Sequence, residues 1–514
     1  MLVLAACAGG SRGFDPEAGT AFTGGAAADE PRATLIAEAI LDRGGSAADA
    51  ATALYFALTV TYPVAAGLAG GGACTVYDAT SRTSESLSFL PGRAAAGGSV
   101  AIPGAVRGFA LLHARFGRLR WPEVVLPAEA LARFGYPVSR ALVRRIEGSR
   151  IAGRADAALG DLVAPLGAPI AESTEVEQSA LAATLSRIRT RGGGDLYFGG
   201  LANDFFRGVA VAGGRVTADD LRAFRPAWQS SAEMRVGRDL VAYAGPAAPG
   251  GGRLGAAIWA ALAAQSRYED AGEPERLHLL AEASARALAS QARGEAPFAP
   301  NGAPNGAGLL NGYEPDRHIS VDLPVDLSAW ERPGDDGTTS FVVVDGQGSA
   351  VACGLTMNGA FGTGQMIPEL GVVLAPPAAD GPAGWPSAGG DFLAPLIIVE
   401  EGPGGFVFVG AASGGPAAPI ALSTAAIAVL TSEVTLRDAV SRPRLFQFAR
   451  PDAVFAETTL DESARQSLRD RGHAVRLVSP AGRVNAALCR SGATIPCQFA
   501  SESRGFGTAS GAPF

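Results

Sequence analysis

The sequence predicts an α+β fold in which two stacked sheets lie between outer layers of helices. Helical patterns dominate the first 293 residues, short β runs follow residue 338, and helical patterns return over residues 416 to 441. This order of segments is typical of packed sheets that are covered by helices on their outer faces. With 514 residues, of which 47% are hydrophobic, the chain is long enough to bury the large core that this architecture needs.

The helices of the first half are indicated by capping residues and by the spacing of apolar positions. Residues 32 to 61 predict two helices, of which the first opens with proline and closes with glycine and the second begins on a serine cap. The glycine cluster of residues 67 to 72 leads into a strand, and without a lysine or a following helix it predicts a tight turn rather than a phosphate site. Further helices are predicted at 104 to 116, 122 to 134, 176 to 191, 217 to 223, 255 to 265 and 275 to 293.

The second half changes character at residue 338. Residues 294 to 337 are rich in turn formers and have no sustained period, which predicts an exposed and mobile segment. Short β runs then follow one another between Gly and Asp turns: SFVVVD, SAVACGLTM, GVVLAP, PLIIVEE and GFVFVGA. Two helices are predicted after them, at 416 to 432 and 435 to 441.

The composition excludes several classes of protein. All 42 basic residues are arginine, so there is no lysine for a P-loop, for a pyridoxal Schiff base or for a general base. The net charge of −8 argues against a nucleic-acid partner. The histidines are far apart in the sequence and show no metal-ligand spacing, so we expect no metal and no cofactor; they are His113, His278, His318 and His473.

The N-terminus resembles a bacterial lipoprotein signal. In MLVLAACAGGS, the residues Leu4 to Cys7 place small side chains before a cysteine, and residues 1 to 20 are assigned to this signal-like segment. Only six residues precede Cys7, fewer than the basic and apolar regions of a secretory signal need, and a chance Ala-rich terminus is the alternative. We expect an exported protein, periplasmic or attached to the envelope membrane through a lipidated Cys7.

The remaining cysteines fit an oxidising compartment. Cys489 and Cys497 flank a short turn between two β-like runs, a spacing at which a hairpin brings them together as a disulfide. Cys74 and Cys353 lie in apolar strand patterns, where buried thiols are expected.

The stretch GDDGTTSFVVVD places two threonines at the start of a strand and suggests a nucleophile. No Gly-x-Ser-x-Gly elbow is present, and the scarcity of histidine makes a Ser/His/Asp triad hard to build. If the backbone were cut between Gly337 and Thr338, Thr338 would carry both a hydroxyl and a free α-amine. Such an amine has an unperturbed pKa of about 7.7 to 8.0, so it could accept the proton of the hydroxyl near neutral pH.

At these residues the sequence resembles the γ-glutamyltransferases, which are N-terminal nucleophile hydrolases made as one precursor. TTSFVVVD resembles the start of that family's small subunit, and the resemblance continues over nearly the whole chain in LTMN, FGTG, GAASGGP, DAVSRPRLFQ, GLAGGGACTVYD and HLLAEA. It implies a four-layer αββα sandwich of two mainly antiparallel sheets. It also implies a large-subunit portion of residues 21–337 and a small-subunit portion of residues 338–514, which form one intertwined domain after self-cleavage.

The resemblance assigns roles to five residues. Thr338 would be the nucleophile both for self-cleavage and for attack on a small-molecule amide, and Thr356 would orient it. Asn358 would contact the substrate. The backbone N–H groups of Gly414 and Gly415 would form the oxyanion hole. Glutathione-like γ-glutamyl compounds are the donors that the family implies.

The residues that would hold the substrate depart from the family pattern. Leu90 stands at the place of the family's arginine, and Arg93, three residues later, is the candidate replacement. Asp391 and Phe392 replace the serine pair that grips the α-carboxylate, and an aspartate would repel that group. Asp380 remains near the position of the acidic residue that would hold the α-amine.

Three functions remain open at this point. The first is a γ-glutamyl hydrolase or transferase, and the second is an amidase or acylase for a less polar acyl group, which Leu90 and Phe392 would suit. The third is a non-catalytic envelope lipoprotein of the same fold, although such a protein has no chemical reason to keep Thr338 and its partners together. Ser340 stands where the family has a histidine after the two threonines, and the resemblance makes no prediction about self-cleavage with this residue.

Overall fold

The computed structural model describes most of the chain. The segments that carry Cys7, Asp380 and Asp391 lie outside the described residues, as does most of the turn-rich segment 294 to 337, so the expectations for them are not addressed by the structure. The described residues are 22–236, 240–245, 250–263, 267–293, 306–322, 337–378, 392–401, 405–432, 434–448, 450–479, 482–489 and 497–511.

The described residues form helices and strands in the following order. The helices are α1 Pro31–Asp42, α2 Ala47–Thr61, α3 Ala105–Phe116, α4 Trp121–Phe134, α5 Arg140–Gly148, α6 Ala157–Val163, α7 Ser179–Arg191, α8 Asp195–Phe198, α9 Gly200–Val211, α10 Ala218–Ala223, α11 Gly251–Ala263, α12 Arg267–Asp270, α13 Glu273–Ala292, α14 Gly306–Leu309, α15 Ala417–Thr431, α16 Leu436–Ser441 and α17 Glu462–Asp470. The strands are β1 Gly24–Ala28, β2 Gly71–Asp78, β3 Thr83–Ser88, β4 Tyr136–Pro137, β5 Glu175–Val176, β6 Ala227–Ser230, β7 Ala232–Arg235, β8 Leu240–Ala244, β9 Thr338–Asp345, β10 Ala350–Thr356, β11 Met366–Ile367, β12 Val372–Val373, β13 Leu396–Glu400, β14 Phe406–Ser413, β15 Leu445–Phe448, β16 Ala453–Glu457, β17 Val475–Val478, β18 Arg483–Cys489, β19 Cys497–Ser501 and β20 Thr508–Ser510.

The helices predicted from caps and apolar spacing are confirmed, with ends that shift by a few residues. They correspond to α1, α2, α3, α4, α7, α10, α11, α13, α15 and α16. The predicted cap of α2 is present, because the Ser46 hydroxyl accepts a hydrogen bond from the Asp49 amide at 3.1 Å and the Asp49 carboxylate accepts one from the Ser46 amide at 2.9 Å.

Two antiparallel sheets form the centre of the molecule. One has seven strands in the order β20-β1-β9-β10-β2-β3-β6, and the other has six in the order β19-β18-β14-β13-β8-β7. The β runs predicted after residue 338 become β9, β10, β12, β13 and β14. A parallel pair occurs in the small β15-β16-β17 sheet, where β16 runs alongside β17.

The two large sheets stack on each other, and helices cover their outer faces. Along β9, Val342 and Val344 point into a core shared with the second sheet, whereas Phe341 and Val343 point into the core under α1 to α4. A third core lies between the second sheet and the helices α11, α13 and α15. These three apolar layers separate four layers of structure, and the predicted αββα sandwich is confirmed.

Each of the two large sheets contains strands from both sides of the Gly337–Thr338 bond. In the first sheet, β9 and β10 lie between β1 and β2, and in the second sheet β13 pairs with β8. The two portions separated by this bond therefore share both sheets and all three cores.

Four of the five cysteines form two disulfides. Cys489 is bonded to Cys497 across the β18–β19 pair, with an S–S distance of 1.96 Å. Cys74 is bonded to Cys353, with an S–S distance of 2.00 Å, and here the expectation of buried thiols was wrong. Both residues are buried as expected, but they lie directly opposite each other in β2 and β10, a pairing that a sequence separation of 279 residues conceals.

Within the described part of the chain, every helix is either too short or too polar to cross a membrane.

Candidate active site

Thr338 is the first residue of β9 and is fully buried. It follows Gly337, whose φ of +56° lies in the left-handed region. A Cβ atom at residue 337 would lie only 2.0 Å from the carbonyl oxygen of Gly359, so the backbone on the N-terminal side of Thr338 has no room for a side chain. The backbone before the threonine therefore packs closely against that of a second glycine.

The hydroxyl of Thr338 lies against the predicted oxyanion hole. The backbone amide of Gly414 donates a hydrogen bond to Oγ1 of Thr338 at 3.1 Å. Gly414 and Gly415 have φ values of +120° and +64°, and they link the end of β14 to the start of α15. The N-terminus of a helix carries partial positive charge, so α15 adds a favourable field for an oxygen anion at this position.

Thr356 and Asn358 lie beside Thr338 as the sequence predicts. Thr356 is the direct partner of Thr338 in the β9–β10 pairing and is fully buried. Asn358 adopts a left-handed φ of +55°, and its backbone N–H donates to Oγ1 of Thr356 at 2.8 Å. Its side-chain nitrogen donates to the carbonyl of Pro376 at 3.0 Å, so Asn358 joins Thr356 to the segment that follows β12.

A backbone donor faces the carbonyl that self-cleavage would attack. The amide of Met357 donates to the carbonyl oxygen of Gly337 at 2.8 Å. If Thr338 attacked this carbonyl, negative charge would develop on that oxygen, and the Met357 amide is already placed to stabilise it. This group could not be recognised from the sequence, because backbone amides leave no signal in side-chain patterns.

A buried polar network beneath Thr338 was also missed from the sequence. Its centre is Asp29, at the end of β1, whose side chain is completely buried. Oδ2 of Asp29 accepts hydrogen bonds from the hydroxyls of Thr339 at 2.9 Å and Ser413 at 3.1 Å. Oδ1 accepts from Nδ2 of Asn485 at 2.8 Å. The network ties β1, β9, β14 and β18 together directly behind the nucleophile.

Arg483 brings a positive charge to this network. Its Nε lies 3.4 Å from Oδ2 of Asp29, and its Nη2 donates to the carbonyl oxygen of Thr338 at 3.1 Å. A guanidinium that is nine-tenths buried is stabilised by such a carboxylate, and that of Asp29 lies within reach of Arg483. The sequence does show a charged residue at the edge of each of two apolar runs, Asp29 at the end of GGAAAD and Arg483 at the start of RVNAAL. Nothing in the sequence indicates that these two runs meet in the fold.

Ser340, which replaces the family's histidine, lies in the same interior. It is completely buried, and its hydroxyl donates to the carbonyl of Ala411 at 3.2 Å. Its own carbonyl accepts from Nδ2 of Asn485 at 2.9 Å. Ser340 therefore links β9 to β14 and β18 across the gap between the two sheets.

The residues predicted to grip the substrate are only partly brought to the site. Arg93 is exposed, and its Nη2 donates to the carbonyl of Ala378 at 2.7 Å, beside the segment that Asn358 also holds. Phe392 is packed in the core between the second sheet and its helices, while the next residue, Leu393, lies against Gly354 of β10. The described residues thus bring together Thr338, Thr356, Asn358 and Gly414, and they place the aromatic ring of Phe392 in the hydrophobic core.

The chain is similar to known proteins over most of its length. A family model described as gamma-glutamyltranspeptidase matches residues 33–98, 90–381 and 390–512. The protein named Acylase ACY 1 proenzyme from Pseudomonas sp. (strain SE83) is 29% identical over 511 residues, which cover 89% of this chain and 88% of that protein. The protein named Glutathione hydrolase proenzyme from Pseudomonas aeruginosa is 30% identical over 393 residues, which cover 70% of this chain and 68% of that protein.

A solved structure extends the comparison to the fold. The crystal structure of cephalosporin acylase from Bacillus halodurans superposes with a TM-score of 0.80 at 20% sequence identity, covering 97% of this chain and 99% of that one. At this level of identity the similarity concerns the fold alone, and it confirms the predicted fold class.

Proposed function

The chain belongs to the gamma-glutamyltranspeptidase family and is an enzyme of that kind, and from this premise we propose that it is a self-processing acyl-transfer enzyme whose nucleophile is Thr338. The observation that carries the proposal is the hydrogen bond from the Gly414 amide to Oγ1 of Thr338 at 3.1 Å. It joins the hydroxyl to a donor that can stabilise an oxyanion formed next to it. The carbonyl of the preceding residue, Gly337, is the group that this hydroxyl would attack during self-cleavage.

Self-cleavage proceeds in two balanced steps. Oγ1 of Thr338 attacks the carbonyl carbon of Gly337, and the oxyanion is stabilised by the Met357 amide. The C–N bond then breaks and the proton of the hydroxyl passes to the departing nitrogen, which leaves an ester between Gly337 and Oγ1 and a free α-amine on Thr338. Water hydrolyses the ester, giving a carboxylate on Gly337 and restoring the hydroxyl.

The released amine then serves as the base in turnover. It takes the proton of Oγ1 as that oxygen attacks the substrate amide, and the protonated amine gives a proton to the leaving amine. The guanidinium of Arg483 donates to the Thr338 carbonyl at 3.1 Å and so helps to hold the residue that carries this amine. The acyl ester on Thr338 is finally transferred to water or to another amine.

We propose γ-glutamyl amides, of which glutathione is one, as the acyl donors. The name Glutathione hydrolase proenzyme of the Pseudomonas aeruginosa relative supports this choice. The second candidate is an amidase or acylase for a less polar acyl group. It is favoured by Leu90 at the place of the family's arginine and by the acylase relative that matches 89% of the chain.

The test of self-processing is a reducing denaturing gel of purified protein, followed by sequencing of any new N-terminus. We expect two fragments, of which the smaller begins at Thr338. The variant Thr338→Val keeps the shape of the side chain but lacks the hydroxyl, so it should remain one chain, whereas Thr338→Ser should still be cleaved. A wild-type chain that stays intact after long incubation would refute the proposal.

The two donor classes are separated by assays on cleaved protein. A γ-glutamyl anilide and an anilide of an uncharged acyl group are supplied in parallel, and aniline release is measured. Preference for the γ-glutamyl compound supports the first candidate. If the cleaved enzyme ignores it and hydrolyses the uncharged compound, the γ-glutamyl assignment fails and the acylase assignment stands.

Export to the periplasm or envelope, with lipid on Cys7, remains part of the proposal. It rests on the Leu4 to Cys7 pattern, and the pair of disulfides fits an oxidising compartment. Cell fractionation tests it: the wild type should be found with membranes and Cys7→Ser in a soluble fraction, and an equal distribution of the two proteins would contradict lipidation.

A further inference from the structure

A compact group of histidines and carboxylates lies far along the chain from Thr338. His278 and Glu282 are one turn apart on α13, and His473 lies between α17 and β17. All three side chains are buried, with at most 4% exposed. His318 stacks on His473 at a ring-centroid distance of 4.4 Å, so three of the chain's four histidines meet here. We call His278, Glu282 and His473 the histidine cluster.

The donor atoms of the histidine cluster converge. Nδ1 of His278 lies 2.7 Å from Nε2 of His473. One ligand atom from each of the three residues lies within 4.8 Å of the others. Two imidazoles and one carboxylate are a ligand set that proteins use for zinc and similar ions.

Contacts around the cluster orient the two rings. Nε2 of His278 lies 2.9 Å from the carbonyl oxygen of Glu314, which can only accept, so this nitrogen carries the hydrogen. Nδ1 of His278 then presents its lone pair to His473. A histidine that donates one ring N–H to a backbone carbonyl and offers the other nitrogen is the usual arrangement of a metal ligand.

The carboxylate of Glu282 is held in the same manner. Oε1 accepts from Nδ1 of His318 at 2.5 Å, and Oε2 accepts from Nη2 of Arg286 at 3.0 Å. Nε2 of His318 is held in turn by Asp452 at 3.0 Å. The Ile319 amide also donates to Oε1 at 3.4 Å, so Oε2 is the oxygen that keeps a second lone pair for a ligand. The two cations, with Asp452, fix the position of Glu282 without exhausting its acceptors.

His473 is the least satisfied member of the cluster. Its Nδ1 has no hydrogen-bond partner among the described residues, although the side chain is only 4% exposed. Among the described residues, the polar contact that the His473 ring makes is therefore the one through Nε2, the atom that faces His278.

We propose that Nδ1 of His278, Nε2 of His473 and the carboxylate of Glu282 bind one divalent first-row transition cation of the Zn²⁺ type. The ion takes the place of the hydrogen between the two rings, and His473 carries its hydrogen on Nδ1 instead. Tetrahedral Zn–N bonds of about 2.0 to 2.1 Å set the two nitrogens roughly 3.3 Å apart, so the rings separate by about half an ångström on binding. A water completes the coordination.

The bound ion would join two separate segments, α13 and the loop between α17 and β17. The segment that contains Glu314 is already tied to α13 by the hydrogen bond from His278. The inference is independent of the proposed acyl transfer, because no residue of the cluster contacts Thr338 or the network of Asp29 among the contacts described above. It runs against the expectation of no metal, which relied on the wide spacing of the histidines in the sequence.

Isothermal titration of the untagged, chelator-treated, full-length protein tests the site. We expect one equivalent of Zn²⁺ to bind to the wild type and Mg²⁺ to give no signal, because imidazole ligands favour Zn²⁺ over Mg²⁺. His278→Gln and Glu282→Gln should each weaken Zn²⁺ binding about 10-fold or more. The matched control His113→Gln removes the one histidine outside the group and should bind Zn²⁺ as the wild type does.

A spectroscopic measurement on the wild type keeps the test valid if a variant fails to fold. The X-ray absorption edge of the Zn²⁺-loaded protein should show only nitrogen and oxygen neighbours at about 2.0 to 2.2 Å, with the multiple-scattering pattern of two imidazoles. Less than half an equivalent of bound Zn²⁺, an equal response to Mg²⁺, unchanged affinity in both cluster variants, or absence of the imidazole pattern would each overturn the proposal.

Discussion

Gly337 decides whether the bond before Thr338 can reach its observed position. Its φ of +56° is disfavoured for residues with a side chain, and a Cβ atom would meet Gly359 backbone atoms at 2.0 and 2.1 Å. We therefore expect Gly337→Ala to displace this carbonyl from the Met357 amide and to slow self-cleavage by at least about 10-fold, since an oxyanion donor contributes about 10²- to 10³-fold. The measurement is the time course of cleavage on a reducing gel.

A matched variant distinguishes the effect of a positive φ from the effect of the close approach to Gly359. Gly348 also has a positive φ, +85°, but a Cβ atom there would meet nothing closer than 3.8 Å. Gly348→Ala carries a similar conformational cost in a turn between β9 and β10, and it should be cleaved at the wild-type rate. Equal rates for Gly337→Ala and the wild type would show that the close approach to Gly359 does not position the bond.

The residues of the site were predictable to different degrees. Thr338 could be singled out because a threonine pair opens a strand in a chain that lacks lysine and has few histidines. Asp29 and Arg483 could not, because they are 454 positions apart and only the stacking of β1 and β18 brings them together. The same limit applied to the histidine cluster, whose two imidazoles are separated by 195 positions.

At the scale of an element, the start of α2 depends on one buried carboxylate. Oδ2 of Asp49 accepts from the amides of Ser46 at 2.9 Å, Arg118 at 2.9 Å and Leu119 at 3.1 Å. Burial alone would raise the pKa of Asp49, but the nearby His113 imidazole and these amides favour the carboxylate and hold the pKa below its usual value. Asp49 thus joins the helix to the loop between α3 and α4.

The direction of this pKa shift fixes the sign of the pH dependence. Because the pKa of Asp49 is lower in the folded state, its contribution to stability is present above the unfolded pKa of about 3.9 and is lost as the pH falls through the folded value. We expect Asp49→Asn to lower the free energy of unfolding by about 1 to 3 kcal/mol at pH 7. The difference in the free energy of unfolding between variant and wild type should become smaller as the pH falls below about 4. The midpoints of urea unfolding measure it.

An exposed aspartate near another helix start provides the comparison. Asp219 lies in the first turn of α10 with its side chain 93% exposed. Asp219→Asn should shift the midpoint little at either pH, because exposed ion pairs contribute only about 0 to 1 kcal/mol. If the stability difference between Asp49→Asn and the wild type stayed constant from pH 7 to pH 3, the role given to the Asp49 charge would be contradicted.

Elements were predictable where their sequence carried a period or a cap. α2 begins on a serine cap, and the β runs after residue 338 are nearly uninterrupted apolar residues, as expected for strands buried on both faces. α17 escaped prediction because Leu468 is its only fully buried residue, which leaves no apolar stripe to recognise. α9 begins with glycine and has no side-chain cap, so its start carries no signal.

At the scale of the whole molecule, the proposed cut divides sheets rather than domains. β9 pairs with β1 on one side and with β10 on the other, and β10 pairs with β2, so strands of residues 338–514 are enclosed by strands of residues 21–337. Removing either portion would expose buried strand edges and apolar faces of both sheets. The separate portions are therefore expected to remain associated after cleavage, and the order of strands explains why a boundary at Gly337 is not a domain boundary.

The Cys74–Cys353 disulfide makes this association testable in a single gel. Cys74 lies before the proposed cut and Cys353 after it, so the bond would link the two fragments covalently. For protein exported to an oxidising compartment and then cleaved, we expect one band of full-length mass without reductant and two bands with it. Cys353→Ser should give two bands in both lanes, whereas Cys489→Ser should behave as the wild type, because Cys489 and Cys497 lie on the same fragment. Two bands from the oxidised wild type in the absence of reductant would show that the fragments are held together by packing alone.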